Sequence, residues 1–327
     1  MTVWHSMPAS VLSVQVRAMS DMQPLAGYVH PGYVASLREF GTPRELPHCR
    51  GWILEREIPG FPDRDAMGCY PLFACQDWPQ LHADLDKIGN KLVSLSLVTD
   101  PFGECDPSYL ERCFKDLVVP FKEHFVTDLS RATSTFVSSH HQRYAHKALR
   151  RLCVERCQDP TQFIDDWTAL YATLVDRHHI EGIRAFSTNS FARQLNVPGI
   201  VSFRAVYEDT TVGMLLWYVR GEVGYYHLGA SSTRGYELRA SSALFSFAIE
   251  QFSAEGLRWL SLGAGGGVKS RGTADGLTRF KRGWSTHTRT VYLCGRIFDP
   301  QRYAEIVKAK GIEATDYFPA YRKGEFG

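Results

Sequence analysis

The sequence carries almost no net charge, with 37 Lys and Arg against 35 Asp and Glu, a formal total of +2. A globally basic protein is therefore excluded, and a polyanionic partner would have to be met by a local basic patch. Nowhere does an apolar run approach the roughly 18 residues of a membrane-spanning helix. Met1 to Met22 has no basic start followed by an apolar stretch, so the expectation is a cytoplasmic protein without a membrane span. With Gly 27 and Pro 16, collagen-like and disordered classes are excluded too. The eight cysteines (49, 69, 75, 105, 113, 153, 157 and 294) form no C-x-x-C pair and have no His at ligand spacing. Reduced, mostly buried thiols are expected, and no metal site. Cys153 and Cys157 would share a face if that stretch were helical.

What is present is a 44% hydrophobic, 13% aromatic chain of 327 residues, enough for two domains or one large one. The first fifty residues read as an extended lead-in, punctuated by Pro24, Pro31, Gly32, Gly41, Pro43 and Pro47. Strand candidates follow at 52–54 and 70–75, then a helix on the spacing Trp78, Leu81, Leu85, Ile88, and a buried strand at 92–98 ended by Thr99-Asp100-Pro101. A helix at 109–117 and a strand at 124–129 close this half.

The pattern then restarts. A basic helix spans about 140–152, and a second helix opening at Asp159-Pro160 carries Phe163, Trp167, Leu170, Tyr171 and Leu174. Three strands at 200–207, 212–219 and 224–230, turning at Glu208-Asp209 and Arg220-Gly221-Glu222, read as a meander. A long helix over 240–252 with Gly256 as its stop, a strand at 259–262, a glycine-rich loop and a strand at 291–294 complete the order. This predicts an α/β (α+β) protein with a mixed sheet in two related halves, 1–137 and 138–327, the first degenerate.

Certain residues carry a family resemblance. They are the basic helix from His141 to Arg151, Asp176-Arg177-His178-His179, Tyr225-Tyr226-His227-Leu228-Gly229-Ala230-Ser231, Ser242-Ala243-Leu244, and Arg279-Phe280-Lys281-Arg282-Gly283-Trp284. Over His140 to Ser285 the chain resembles the second half of the Fem-like, BioF2-like double-GNAT acyltransferases, and Phe-Lys-Arg-Gly-aromatic is the most specific element. The resemblance implies an N-acyltransferase that forms an amide, with an aminoacyl-tRNA or acyl-CoA as donor co-substrate, no tightly bound cofactor, and a small-molecule or saccharide-linked amine as acceptor. It also implies that Lys281 polarises the donor carbonyl, where a fixed cation suits the developing oxyanion.

In ordinary GNAT enzymes the loop before the long helix holds the CoA pyrophosphate on backbone N–H groups. Here that stretch is Ser232 to Ser241. It has Arg234-Gly235 but not the later small positions, and Glu237 is an awkward neighbour for a pyrophosphate. This favours a tRNA-linked donor over acyl-CoA. Arg234, Arg239, Phe280, Arg279 and Arg282 are the donor-binding candidates; Arg177, His178, Tyr226 and Ser231 are the acceptor-binding ones. His227 and Asp275 are candidate bases for the attacking ammonium, as are His178 and His179. Arg143, Lys147, Arg150 and Arg151, with Lys269 and Arg271, would form a nucleic-acid patch, supported by Arg289. Gly263 to Ser270 is not a Walker A loop, because its Lys does not directly follow the second Gly. Two alternatives stay open: an acyl-CoA-dependent N-acetyltransferase and a non-catalytic GNAT-like binding module.

Overall fold

The computed structural model describes residues 24–266 and 276–325, with Asn90 described in its backbone only. Its strands are β1 (Thr42–Leu46), β2 (Gly51–Glu57), β3 (Arg64–Gly68), β4 (Ser94–Val98), β5 (Leu117–Asp128), β6 (Cys153–Arg156), β7 (Ile200–Tyr207), β8 (Thr210–Arg220), β9 (Val223–Ser231), β10 (Trp259–Gly263) and β11 (His287–Ile297). They form one continuous mixed sheet in the order β1-β2-β3-β4-β11-β5-β10-β9-β8-β7-β6.

The order repeats a single pattern. Strands β1, β2 and β3 form an antiparallel meander, β3 to β4 is a parallel step, and β4 meets β11 antiparallel. In the other half β7, β8 and β9 form the meander, β9 to β10 is the parallel step, and β10 meets β5 antiparallel. The closing strand of each half thus comes from the other half of the chain. Strands β5 and β11 also pair with one another along their length, from His287↔Val126 to Gly295↔Leu117, so the two halves share a sheet.

The helices are α1 (Pro31–Ser36), α2 (Leu81–Ile88), α3 (Pro107–Cys113), α4 (Ser139–Leu149), α5 (Ile164–His178), α6 (Thr188–Gln194), α7 (Thr233–Leu238), α8 (Ala240–Ala254), α9 (Gly276–Arg282) and α10 (Pro300–Ala309). Helix α8 crosses from β9 to β10 and buries Ala243, Leu244, Phe245, Ala248, Ile249 and Phe252 on the sheet. One face of the C-terminal half packs α4 and α8 around Trp217, Phe203, Phe245 and Trp284. The opposite face packs Tyr28, Tyr33, Trp167, Phe191, Tyr218 and Tyr225.

The meander and the long helix stand within about two residues of their expected positions. The Glu208-Asp209 turn has both residues at positive φ, 47° and 60°, as a tight hairpin requires. Elsewhere the structure differs. The stretch 24–50 is no lead-in, because it contains α1 and β1 and buries Tyr28, Val29, Tyr33, Val34 and Leu37 in the core. Residues 70–75 are not a strand; Leu72, Phe73, Ala74 and Cys75 are apolar because they are buried, and only Phe73 bridges to Thr99. Strand β3 was hidden by its polarity, since Asp65 is spent in buried pairing with Arg56 and Arg322. Cys153 and Cys157 share no helix face: β6 begins at Cys153, which is exposed, while Cys157 is buried. Among the described residues no helix is long and apolar enough to cross a membrane, and no cluster of His, Cys, Asp or Glu is suited to a metal ion.

Candidate functional site

The parallel pair β9 and β10 is joined only over Trp259↔Val223, Leu260↔Gly224 and Ser261↔Tyr225. Beyond that point β10 bulges between Ser261 and Gly263 and turns toward β5, while β9 continues on to Ser231. The two strands part like a fork at Tyr226 and Leu262. Along this edge of β9, beyond Tyr225, the backbone polar groups have no strand partner among the described residues, and such groups call for a ligand or water. The corresponding place in the first half is filled. Gly68 lies so close to Leu97 that a Cβ there would stand 2.7 Å from the Leu97 Cβ, and the Phe73 N–H donates to the Val98 carbonyl at 2.7 Å.

Lys281, in the last turn of α9, enters the open fork. Its side chain is only 6% exposed, its Nζ donates to the Ala264 carbonyl at 2.6 Å, and it stands 5.5 Å above the centre of the Tyr226 ring. Gly263, at φ 72°, lies beside it; a Cβ at that position would be 3.2 Å from Nζ. Burial raises the Tyr226 phenol well above its usual range, so the ring under Lys281 is neutral. The result is a fixed ammonium in a partly water-excluded notch. Such a group suits an oxygen that gains negative charge.

Helix α9 is anchored from behind. Phe280 packs on Phe245 and His141, and Trp284 on His141 and Phe245. No periodicity marks this short helix, yet its apolar side holds Lys281 in place. Phe280 is thus a packing anchor, while Arg279 and Arg282 are exposed on the same short helix.

His227 does not meet Lys281. Side chains alternate along β9, so Tyr226 points to the α8 face and Tyr225 and His227 to the other. There His227 is buried between the Tyr28 hydroxyl (3.1 Å) and the Gln194 side-chain Oε1 (3.0 Å), and burial lowers its pKa to about 3. A ring so enclosed is a structural member of the core and not the expected base. Asp275, Lys269 and Arg271 lie outside the described residues.

The stretch in the place of the CoA-binding loop of ordinary GNAT enzymes is helical over Thr233–Leu238. Ser232 caps α7, receiving the Gly235 N–H on its hydroxyl and the Tyr236 N–H on its carbonyl, so those donors are already used. Gly235 is small because a Cβ would strike the Val212 carbonyl oxygen at 2.0 Å, a reason of packing. Glu237 pairs with Arg234 at 2.7 Å.

The arginines of this region collect on three tyrosines. Arg239, left-handed at the α7–α8 junction, lies 3.4 Å over the Tyr144 ring, which Arg143 also approaches. Arg234 and Arg151 flank the Tyr207 ring at 4.9 and 5.6 Å, and Arg177 lies 4.0 Å over Tyr236, itself 42% exposed. Donor candidates Arg234 and Arg239 and patch candidates Arg143 and Arg151 are thereby brought to one surface. Lys147 is exposed on α4, whereas Arg150 and Arg151 stand just past the helix end at Leu149, which therefore stops earlier than expected. Arg177 joins this surface through Tyr236, and His178 beside it is exposed at the end of α5. Ser231 ends β9 with its hydroxyl 3.5 Å from that of Ser241. Arg289 lies elsewhere, stacked on Phe102 (4.1 Å) and Trp259 (5.0 Å).

One residue near the fork escaped the sequence reading. His124 in β5 is 9% exposed, and its Nδ1 has no hydrogen-bond partner among the described residues. Burial, then the Lys281 and Lys122 ammonium groups, lower its pKa to about 3. A lone His in an apolar strand carries no local signal; only the pairing of β5 with β10 shows it.

Residues 137–282 match the model of the acetyltransferase (GNAT) domain family. No curated protein matches the sequence. Among solved structures, FemX shares 13% identity at a TM-score of 0.62, over 94% of this chain and 100% of its own. The C-terminal domain of a putative lysylphosphatidylglycerol synthetase from Agrobacterium fabrum shares 14% at 0.58, over 92% and 95%. The lysylphosphatidylglycerol synthetase structure from Bacillus licheniformis shares 15% at 0.55, over 84% and 94%.

Proposed function

Because residues 137–282 match the acetyltransferase (GNAT) domain family and the fold is similar to that of FemX over 94% of the chain, we propose that the protein transfers an acyl or aminoacyl group from an activated ester or thioester to an amine. The observation that carries this reading is the buried Lys281 ammonium at the β9–β10 fork. A carbonyl oxygen entering the fork would exchange places with the Ala264 carbonyl as the partner of Nζ. It would then gain charge beside a cation that is already in position. The amine attacks, the C–N bond forms, and the leaving oxygen or sulfur departs with a proton.

A tRNA-linked donor is favoured over acyl-CoA. The α7 N–H groups that would hold a pyrophosphate are capped by Ser232, and Glu237 occupies Arg234. Arginines held flat on Tyr144, Tyr207 and Tyr236 suit phosphates and unpaired bases instead. Two of the structural neighbours are named for making lysylphosphatidylglycerol, which supports aminoacyl transfer as the class.

The test is transfer from charged tRNA and from acetyl-CoA to a panel of amines, with Lys281→Met as control. The expected result is RNase-sensitive transfer that falls about 10²–10³-fold in the variant. Transfer only from acetyl-CoA would favour the CoA-dependent alternative. A folded Lys281→Met protein with full turnover would remove the mechanism, and no transfer from either donor would leave the binding-module reading.

A further inference from the structure

In the first half of the chain three titratable side chains are joined in a row that the acyl-transfer reading does not use. Helix α2 buries Leu81, Leu85 and Ile88, and the same face carries the buried Asp84. The Asp84 carboxylate receives the His48 and Cys49 N–H groups, at 3.1 and 2.7 Å, which fastens the turn between β1 and β2 to the helix. It also stands 2.7 Å from the His48 Nδ1. Burial pushes the Asp84 carboxyl up, but these hydrogen bonds outweigh it and hold the group below the usual carboxylate range. An ionised carboxylate only accepts, so it fixes the proton of the neutral His48 ring on Nδ1 and leaves the lone pair on Nε2. On that side is Lys87, one helical turn on from Asp84, with its Nζ 2.9 Å from the His48 Nε2. His48 is half-buried and Lys87 exposed, so the amine is open to a solute. Among the described residues Lys87 meets no carboxylate.

We propose that Lys87 is a self-acylating lysine, with His48 as its general base and Asp84 as the orienting carboxylate, and that it takes acyl groups from thioesters without help from the fork. A nucleophile within hydrogen-bond reach of a base, and a base held by a third group, is the arrangement that activates weak nucleophiles. In the reaction the Lys87 ammonium first gives one proton to water. The free amine then attacks the thioester carbonyl carbon, and the C–N bond forms while His48 Nε2 takes a second proton from that nitrogen. Asp84 stabilises the imidazolium so formed. The C–S bond breaks and the imidazolium passes its proton to the departing sulfur. An amide on Lys87 and a free thiol result, and His48 and Asp84 end as they began. Lys91 and Lys308 are exposed too, but among the described residues neither has an imidazole beside it.

The experiment incubates the full chain with S-acetyl-N-acetylcysteamine, with no amine acceptor present, and follows acetylation at each lysine by peptide mass spectrometry. Lys91 and Lys308 are the references in the same sample, and a Lys281→Met protein removes the cation of the fork. Acetylation at Lys87 is expected to run about 10²-fold ahead of both references in wild type and in Lys281→Met, and to fall to their level in His48→Gln. Circular dichroism checks that each variant folds, and the comparison of the three lysines in the wild-type protein stands without any variant. Equal rates at Lys87, Lys91 and Lys308 overturn the proposal. So does a folded His48→Gln protein that keeps the fast Lys87 rate. Loss of the Lys87 signal in Lys281→Met overturns it as well, because the modification would then be a product of the fork.

Discussion

Gly283 backs directly onto the imidazole of His141: a Cβ on Gly283 would stand 2.2 Å from the His141 Cε1. The ring is in turn packed on Phe280 and Trp284, so the glycine of Phe-Lys-Arg-Gly-Trp is what lets the end of α9 close against α4. Gly283→Ala is therefore expected to destabilise the fold by about 1–3 kcal/mol through overpacking, and to lower transfer activity by shifting Lys281. Urea unfolding alongside the transfer assay reads both effects. An alanine variant of unchanged stability would show that His141 moves aside freely.

Acid should loosen this core through two histidines. His124 and His227 each have a folded pKa of about 3, below the usual histidine value of about 6.5, chiefly because burial disfavours the charged ring. The neutral rings contribute fully above about pH 6.5. That contribution is lost as pH falls from there toward 3, because the unfolded chain takes up the protons first, at up to about 1.4 kcal/mol per pH unit for each ring. Unfolding free energy measured from pH 7.5 to 5 should decline in this window, and His227→Gln should flatten the slope. An unchanged slope in that variant would place the acid sensitivity elsewhere.

At the junction of the halves Asp100, fully buried in its side chain, accepts from Arg220 at 2.7 Å, from the Tyr225 hydroxyl at 3.0 Å and from the Phe102 N–H at 2.9 Å. Asp100→Ala leaves the Arg220 guanidinium enclosed without its anion, and about 3–5 kcal/mol of stability should be lost. Replacing both partners with apolar residues should recover much of that, as measured by a double-mutant cycle of denaturant midpoints. Equal losses in the single and double variants would contradict the pairing.

The Arg and Tyr surface makes a salt-dependent prediction. Lys147→Ser, at an exposed position on α4, should weaken tRNA binding evenly across sequences and reduce the slope of log affinity against log salt by about 1. Tyr236→Ala should instead remove stacking, costing about 1–3 kcal/mol with little change in slope. Fluorescence anisotropy with uncharged tRNA from 50 to 300 mM salt, roughly the span over which counterion release is measurable, separates the two. Binding that ignores both substitutions would move the RNA off this face.

What could be read from the chain is what is written locally. The β7–β8–β9 meander is legible because turn residues at 208–209 and 220–222 punctuate strands of apolar and aromatic residues, and α8 because its apolar run is long and glycine-stopped. The short helices α1, α6 and α9 were not, since each is held by tertiary packing and not by its own periodicity. The same distinction runs through the site. Lys281 could be singled out because it sits in a compact motif, but His227 faces the wrong side of β9.

The sequence by itself determined the alternation of elements, the absence of a long apolar helix and the segment around Phe280, Lys281 and Gly283, because these depend on residues near one another in the chain. The tertiary structure decided that β5 and β11 exchange between halves, that one fork stays open while the other is closed by Phe73, and which polar groups are left beside Lys281. The strand exchange depends on pairings between residues more than a hundred positions apart, such as Val126 with His287, and the forks on pairings across intervening helices or loops, for which no local pattern exists.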